Sequence, residues 1–348
     1  MEVWARLFAR VEICAPIAEW RKRGNQARYA ARNVRWAPVR FSNWPGPRRH
    51  VLRLGQLPQL RRSLDRLIAT TDLLLLRSPS PVAIVGRSLA RARAAPTITK
   101  WAGPARPTAG EWPLMRLERL QVERGAEPVL VYGPTTRSHL IPFIPALMTR
   151  DELSEAARAG QGRDWRPPWR LLAIGRLNPE KGFDLMLRGL ARLLRSRPDL
   201  AWRLELVGDG PQAQGLRNLA ERLGLGDRVA FTGAVGFEQA RERLARSHVV
   251  VMPGTQEGWP KTIAEAWAHG AVPVGAAAGL VPGLLADGAG VPFPSSPRGL
   301  GDALAGLLAD PARMAEIGAR GPARCGELSL ERFENLLEAV LLERCGLV

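Results

Sequence analysis

The second half of the chain repeats one pattern, a short apolar run followed by glycine and then by a longer amphipathic segment. The apolar runs are residues 171–174, 204–207, 229–232, 249–252 and 271–275. The segments that carry apolar residues at helical spacing are 183–196, 212–223, 237–246 and 261–269. Short and nearly continuous apolar runs are typical of strands buried on both faces. The alternation therefore predicts a parallel, doubly wound β/α sheet.

The first half shows the same alternation more faintly. The segments that favour strands are 11–15, 73–76, 97–99 and 129–132, and those that favour helices are 56–70 and 83–94. Residues 160–170 are rich in glycine, proline and charge, as linkers between domains often are. We therefore expect an N-terminal domain over 1–160, a linker over 161–170, a second domain over 171–328 and a C-terminal helix over 329–348.

Three loops follow predicted strands of the second half and carry most of its candidate chemistry. They are residues 175–182, 208–211 and 257–261. In an open parallel sheet, ligands bind outside the carboxyl ends of the strands. We therefore expect these loops to form one binding site.

The charged residues of these loops suit a ligand with phosphates in its middle and hydroxyls at both ends. Arg176 and Lys181 can neutralise a diphosphate, and the helix that begins near Lys261 adds amide donors and a positive dipole end. Carboxylates suit hydroxyl groups instead. Glu265, about one turn into the helix, can accept from ribose, and Glu257 can accept from a sugar. A nucleotide sugar has this composition.

Glycines in the same loops let the backbone approach an anion closely. Gly208 and Gly210 enclose one aspartate, and Gly258 precedes Trp259. We expect Gly208, Gly210, Gly258 and Trp259 to contact the nucleotide sugar. The alternative for the 208–211 loop is a plain connection from strand to helix.

In the order and spacing of these motifs, the second half resembles the nucleotide-sugar-binding domain of the retaining, GT-B fold glycosyltransferases of group 1. That family carries Gly-Arg-Leu-x-x-x-Lys-Gly, Gly-x-Gly-Pro and two glutamates separated by seven residues. They stand here at 175–182, 208–211 and 257–265. The resemblance implies that Arg176, Lys181 and Glu257 serve catalysis, the first two on the donor diphosphate and the third on its sugar. It also implies that Glu265 binds the ribose.

The same resemblance implies two Rossmann-like domains facing across a cleft, an α/β architecture. The activity it implies is transfer of a sugar from a nucleoside diphosphate sugar to an acceptor hydroxyl with retention. The acceptor would be a glycan or a lipid-linked molecule in cell-surface glycan or glycolipid synthesis. The family is usually metal-independent and the chain has no Asp-x-Asp, so we expect neither metal nor cofactor.

The first half departs from the family pattern. Members normally open with a strand and a glycine-rich loop, whereas residues 1–17 favour a helix and then the second strand. We therefore expect the N-terminal domain to lack its first strand, through a misplaced start codon or a truncation. Residues 97–101 hold no histidine where many members have one. His139 is the other candidate, unless it is an ordinary loop histidine, and Arg77 is a candidate acceptor contact.

Positive charge is concentrated in the first half. Of the net charge of +17, all lies in residues 1–170, which hold 30 basic and 13 acidic residues and eight of the eleven tryptophans. Tryptophan together with arginine favours an anionic membrane surface. Nucleic acid would also fit the charge, but no helix-turn-helix, zinc or RNP signature is present, so we do not expect it. A merely solvated basic surface is the remaining alternative.

The expected location is the cytoplasm, with peripheral association at the inner membrane face. The first twenty residues are too charged for a usual signal peptide, and Cys14, Cys325 and Cys345 are widely spaced, as in a reducing compartment. Two other functions stay open. One is a truncated, non-catalytic homologue that binds a nucleotide or a partner. The other is a sugar phosphorylase or phosphate-ester transferase, which would act with inorganic phosphate.

Overall fold

A computed structural model describes residues 2–16, 31–39, 41, 49–103, 113–145 and 147–347. The chain divides into two compact units. Unit 1 combines Met1–Ile144 with Glu334–Val348, and unit 2 is the continuous stretch Pro145–Phe333. Part of the basic half that is predicted to meet a membrane, residues 17–30, 40, 42–48, 104–112 and 146, lies outside the described residues.

The described strands of unit 1 form two separate parallel sheets. The strands are β1 (Val11–Pro16), β2 (Val34–Val39), β3 (Leu74–Ser78), β4 (Thr97–Trp101), β5 (Val129–Val131) and β6 (Leu140–Pro142). β1 pairs with β2, and β3 to β6 pair in chain order. The helices are α1 (Glu2–Leu7), α2 (Arg49–Ile68), α3 (Pro81–Ala92) and α4 (Pro113–Arg124). Among the described residues no strand joins β1 to β3.

An apolar cluster nevertheless unites the elements of unit 1 on one side. Its buried members are Val39, Phe41, Leu60, Leu64, Ile68 and Leu89, from β2, α2, α3 and the residue just after β2. Cys14 of β1 and Leu74 of β3 pack against the same cluster. Both sheets of unit 1 therefore share one core.

Unit 2 contains one six-stranded parallel sheet with helices between its strands. The strands are β7 (Trp169–Ile174), β8 (Trp202–Val207), β9 (Val229–Gly233), β10 (Val249–Met252), β11 (Val272–Ala276) and β12 (Val291–Phe293). The helices are α5 (Arg150–Gly160), α6 (Phe183–Ser196), α7 (Ala213–Arg222), α8 (Phe237–Arg246), α9 (Lys261–Ala268), α10 (Val281–Leu284), α11 (Pro297–Leu308), α12 (Pro311–Gly326) and α13 (Leu330–Cys345). The last of these begins in unit 2 and ends in unit 1. The predicted doubly wound sheet is confirmed.

The order of the strands fixes where a ligand can bind in unit 2. The order is β12-β11-β10-β7-β8-β9, so the direction of winding reverses between β7 and β10. At such a switch point the connections leave to opposite faces and open a crevice at the carboxyl ends. The loops after β7 and β10 border this crevice.

The limits of the two units differ from the predicted domain limits. Residues 145–160, which we expected in the first domain, and the expected linker 161–170 both belong to unit 2. Residues 334–348, expected as a separate C-terminal helix, belong to unit 1.

Hydrogen bonds explain why residues 149–170 belong to unit 2. Thr149 and Glu152 form a reciprocal capping box that starts α5, and Arg241 of α8 forms an ion pair with Glu152 at 3.2 Å. Arg163 donates to the main-chain oxygens of Ala245 and His269, both at 2.8 Å. A segment whose side chains bond the sheet connections is part of the unit and not a flexible spacer.

No helix in the described ranges is both long and apolar enough to cross a membrane. α2 has the length, at 20 residues, but it carries Arg61, Arg62 and Arg66 in its second half.

Candidate functional site

Three loops of unit 2 lie at the carboxyl ends of neighbouring strands. Residues 175–182 follow β7, residues 208–211 follow β8 and residues 253–260 follow β10. Since β10, β7 and β8 are adjacent in the sheet, these loops lie side by side at its carboxyl edge. They contain seven of the eight predicted donor-site residues, and Glu265 follows in α9.

The first two loops are joined through their backbones. Leu177 donates its amide to the oxygen of Asp209 at 3.0 Å. Gly208 has φ +144°, and a Cβ there would lie 1.8 Å from the oxygen of Gly175. A Cβ at Gly210 would lie 2.5 Å from the oxygen of Leu177. Side chains at these two glycines would push the loops apart. The two loops can therefore pack this closely only because both positions are glycine.

The first and third loops are joined as well. Gly182 ends a short 3-10 turn, Pro179–Lys181, in the left-handed conformation with φ 66° and ψ 24°. A Cβ there would lie 2.8 Å from the oxygen of Pro253. Beside this contact, the ammonium of Lys181 forms an ion pair with the carboxylate of Glu257. The structure therefore brings together two of the three residues expected to serve catalysis.

Arg176 is the exposed cation of the first loop. Within the described residues it forms no ion pair, and its charge acts on the neighbouring Glu180. The pKa of Glu180 is lowered, chiefly by the hydrogen bond from Asn178 and further by the charges of Lys181 and Arg176. Arg176 is therefore an exposed cation of this loop with which a bound anion can pair.

The helix α9 supplies the remaining predicted residues. It begins at the exposed Lys261 after Pro260. Ile263 donates its amide to the oxygen of Pro260 at 3.0 Å, and no side-chain cap accepts from the other amides of the first turn. Glu265 lies one turn further and is partly exposed. Burial raises the pKa of its carboxyl group, against the lowering effect of Lys261. Gly258 and Trp259, both half-buried, form the turn that leads into this helix.

A buried thiol lies close to Glu265. Cys325 of α12 donates its Sγ–H to the oxygen of Ala264 at 3.3 Å. Burial, together with the charge of Glu265, raises the pKa of Cys325 to about 12. The thiol is therefore protonated at neutral pH and serves packing.

The other candidates from the sequence lie elsewhere. Arg77 is exposed on β3, and the Nε2 atom of His139 lies 3.1 Å from the oxygen of Val122. Both belong to unit 1. His269 is buried at the end of α9, where its Nδ1 atom lies 2.8 Å from the oxygen of Glu265. The geometry of His139 and His269 fits structural roles.

Three further residues shape the loops without having been singled out from the sequence. Asp209 closes the second loop by accepting from the amide of Gly210 at 2.7 Å. Pro253 supplies the oxygen that abuts Gly182, and Gly279 brings a fourth loop within 3.6 Å of the oxygen of Glu257, measured from its ideal Cβ position. Pro253 could have been found from the sequence, because a Pro-Gly pair directly follows the apolar run 249–252.

The described part of the chain contains no group of three or more His, Cys, Asp or Glu side chains that could hold a metal ion. The charged residues predicted to bind the ligand are two cations, Arg176 and Lys181, and two carboxylates, Glu257 and Glu265, and α9 begins beside them. Such a set can bind a polyanion that also carries hydroxyl groups.

Comparison with known proteins shows which family and which folds this arrangement is similar to. Residues 168–310 match the model of the family Glycosyl transferases group 1. A D-inositol 3-phosphate glycosyltransferase from Segniliparus rotundus is 33% identical over 197 residues, which are 55% of this chain and 43% of that protein. A GDP-mannose-dependent alpha-(1-6)-phosphatidylinositol monomannoside mannosyltransferase from Mycolicibacterium smegmatis is 32% identical over 164 residues, 43% of this chain and 41% of that protein. The matched regions span less than half the length of these curated relatives.

Solved structures agree on the fold. A sucrose-phosphate synthase from Thermosynechococcus elongatus superposes with a TM-score of 0.76 at 20% identity, covering 99% of this chain and 91% of that one. HepE from Anabaena, solved with UDP and glucose, superposes with a TM-score of 0.67 at 19% identity, covering 88% and 85%. The chain thus has the GT-B fold, and its residues 168–310 match the model of the glycosyl transferases group 1 family.

Proposed function

We propose that the protein transfers a sugar from a nucleoside diphosphate sugar to an acceptor hydroxyl, with retention of the anomeric configuration. The observation that carries the proposal is the Lys181–Glu257 ion pair, which joins the loops after β7 and β10 at the switch point of the sheet. The motif order and the relatives support it. Retention is proposed from the family resemblance.

The residues divide the donor among them. Arg176 and Lys181 bind the diphosphate, assisted by the first turn of α9 and by the close backbones of Gly208 and Gly210. Glu257 accepts from the sugar hydroxyls, Gly258 and Trp259 border the same part of the donor, and Glu265 accepts from the ribose. HepE was solved with UDP and glucose, which have the phosphates and hydroxyls that this division uses.

Charge development in the transition state explains why these residues would speed the reaction. The leaving diphosphate gains negative charge while the sugar ring gains positive charge. Fixed cations and amide dipoles stabilise the first of these, and a single well-placed donor of this kind is worth roughly 3 kcal/mol of barrier. Glu257 lies on the side of the developing positive charge. We propose that no metal is needed, because the chain's own cations neutralise the diphosphate.

The acceptor is proposed to be a glycan or a lipid-linked molecule in cell-surface glycan or glycolipid synthesis. The named acceptors and substrates of the relatives are an inositol phosphate and a phosphatidylinositol mannoside. The basic first half would bring the protein to an anionic membrane surface, where a lipid-linked acceptor is found.

The test is donor binding by the full-length chain, followed by transfer. A panel of nucleoside diphosphates and nucleotide sugars is titrated by calorimetry into the wild type and an Arg176→Ala, Lys181→Ala double variant. The matched control is Arg298→Ala, Arg313→Ala, which removes two exposed arginines of α11 and α12 in the same unit. Tight binding of one nucleotide, lost in the first variant and kept in the second, supports the proposal. Absence of binding to every donor by the folded wild type refutes it.

One observation favours a second function. The described strands of unit 1 are split between two sheets, which fits a protein that binds a nucleotide without transferring a sugar. Calorimetry combined with a product assay separates the two functions. Donor binding with neither transfer nor donor hydrolysis would favour the non-catalytic protein. Product whose anomeric configuration matches the donor by NMR supports the retaining transferase.

A further inference from the structure

The helix α4 has an inverted distribution of polarity. Its exposed side chains include Leu114, Leu117 and Leu120, with 41%, 49% and 37% of their surface accessible. On the other side Glu118 and Arg119 are 1% and 4% exposed. A surface helix of a globular protein normally buries its leucines and exposes its charges.

Specific contacts hold the helix in this rotation. The carboxylate of Glu118 accepts from the amide of Ser80 at 2.8 Å. The guanidinium of Arg119 lies 5.1 Å from the ring centroid of Trp101. Turning the helix to bury its leucines would break both contacts, including the hydrogen bond to a charged acceptor. The contacts of Glu118 and Arg119 therefore keep the leucines on the exposed side of the helix.

Positive charge accompanies the leucines on the exposed side. Arg116 and Arg124 are both exposed, whereas Glu118 is buried and Glu123 is half-buried. The spacing of Leu114, Leu117 and Leu120 at every third residue places the three on one stripe. The outer face of α4 is thus an apolar stripe with arginines and no exposed carboxylate.

We propose that this face of α4 lies on the surface of an anionic lipid bilayer. Interfacial helices combine leucines that enter the headgroup region with cations that meet lipid phosphate, and attraction to anionic lipid strengthens binding about fivefold for each arginine. Clustered exposed leucines mark an interaction surface. Two copies of the chain would bring the same arginines together, so a self-contact is disfavoured by repulsion.

This inference goes beyond the proposed catalysis and gives the membrane contact of the basic half a defined location. It does not depend on the donor site. Lipid binding and donor binding are measured on the same preparations, so failure of one leaves the other result intact.

The test is co-sedimentation of the full-length chain with phosphatidylcholine vesicles and with vesicles of equal phosphatidylcholine and phosphatidylglycerol. The main variant is Leu117→Gln, Leu120→Gln. Its control is Leu342→Gln, which alters a leucine of α13 that is 56% exposed. The charge variant is Arg116→Gln, Arg124→Gln, compared with Arg298→Gln, Arg313→Gln.

We expect the wild type to bind the anionic vesicles. The leucine variant should bind about tenfold more weakly, because each leucine buries roughly half a side chain more in the interface. The charge variant should lose its preference for anionic vesicles, while both controls bind as the wild type does. Thermal melts establish that all variants are folded, as substitutions of exposed residues should allow.

Three results would overturn the inference. One is failure of the wild type to bind anionic vesicles. Another is equal binding by the leucine variant and the wild type. The third is a wild-type dimer on size exclusion that the leucine variant converts to a monomer, which would assign the stripe to a second copy.

Discussion

Replacement of Gly182 by alanine tests whether the packing between the first and third loops builds the donor site. At φ 66° and ψ 24° an alanine costs about 1–2 kcal/mol through its left-handed backbone. The new Cβ would also lie 2.8 Å from the oxygen of Pro253, and relief of such overpacking typically costs about 1–3 kcal/mol more. We expect Gly182→Ala to lower the free energy of unfolding of unit 2 by about 2–5 kcal/mol.

Gly162→Ala is the matched control. Gly162 has φ 69° and nothing within 4 Å of an added Cβ, so only the backbone strain of about 1–2 kcal/mol applies. For a unit of this size, each kcal/mol lowers the melting temperature by roughly 2–4 °C. Scanning calorimetry should therefore show a drop of roughly 4–20 °C for Gly182→Ala and roughly 2–8 °C for Gly162→Ala.

Donor titration completes the comparison. Because the Pro253 contact adjoins the Lys181–Glu257 pair, Gly182→Ala should weaken donor binding at a temperature where the variant is folded, and Gly162→Ala should not. Equal melting temperatures for the two variants, together with unchanged donor affinity, would show that the contact with Pro253 neither strains the fold nor shapes the site.

Three further predictions concern donor binding and the dependence of stability on pH. Glu257→Gln should strengthen binding of a bare nucleoside diphosphate, because it releases Lys181 from its ion pair. The same substitution should weaken binding of the nucleotide sugar. Calorimetry with both ligands measures the two effects, and weaker binding of the diphosphate would contradict the prediction. Burial raises the pKa of Glu265 above its ordinary value, so donor affinity should fall as pH falls through that raised pKa; titration across pH should show this fall in the wild type and its absence in Glu265→Gln. Burial, opposed by a hydrogen bond to the oxygen of Asp164, lowers the pKa of His248 to about 4 from 6.5. The unfolded chain then binds more protons between these values, and the free energy of unfolding should fall by about 3 kcal/mol between pH 6.5 and pH 4. Urea unfolding of the wild type and His248→Asn should show that loss only in the wild type.

Short apolar strands were the easiest elements to predict from the sequence, and several elements with mixed faces were missed. The apolar runs of unit 2 correspond to β7 through β11 within a few residues. The pattern is plainest for β10 and β11, in which every residue is buried, because a central parallel strand has no polar side to obscure it. β2 was missed because Arg35 and Trp36 are exposed within it. α4 was missed for a different reason, since Glu118 and Arg119 face inward and its three leucines outward.

The candidate site shows the same limit. Glycine and charge at the ends of predicted strands were enough to identify its loops. The ion pair between Lys181 and Glu257 could not be foreseen, because the two residues are 76 positions apart and each was assigned to a different part of the donor. Whether opposite charges meet each other or a ligand depends on loop packing, here the contact of Gly182 with Pro253.

The path of α13 has a consequence for the order in which the two units fold. Unit 2 is one uninterrupted segment, whereas unit 1 needs residues 334–348 in addition to its first 144. Unit 2 can therefore complete its core from residues 145–333 alone. Unit 1 completes only after residues 334–348 have joined residues 1–144. A chain cut back to residue 333 should therefore hold a protease-resistant second unit and a protease-sensitive first one.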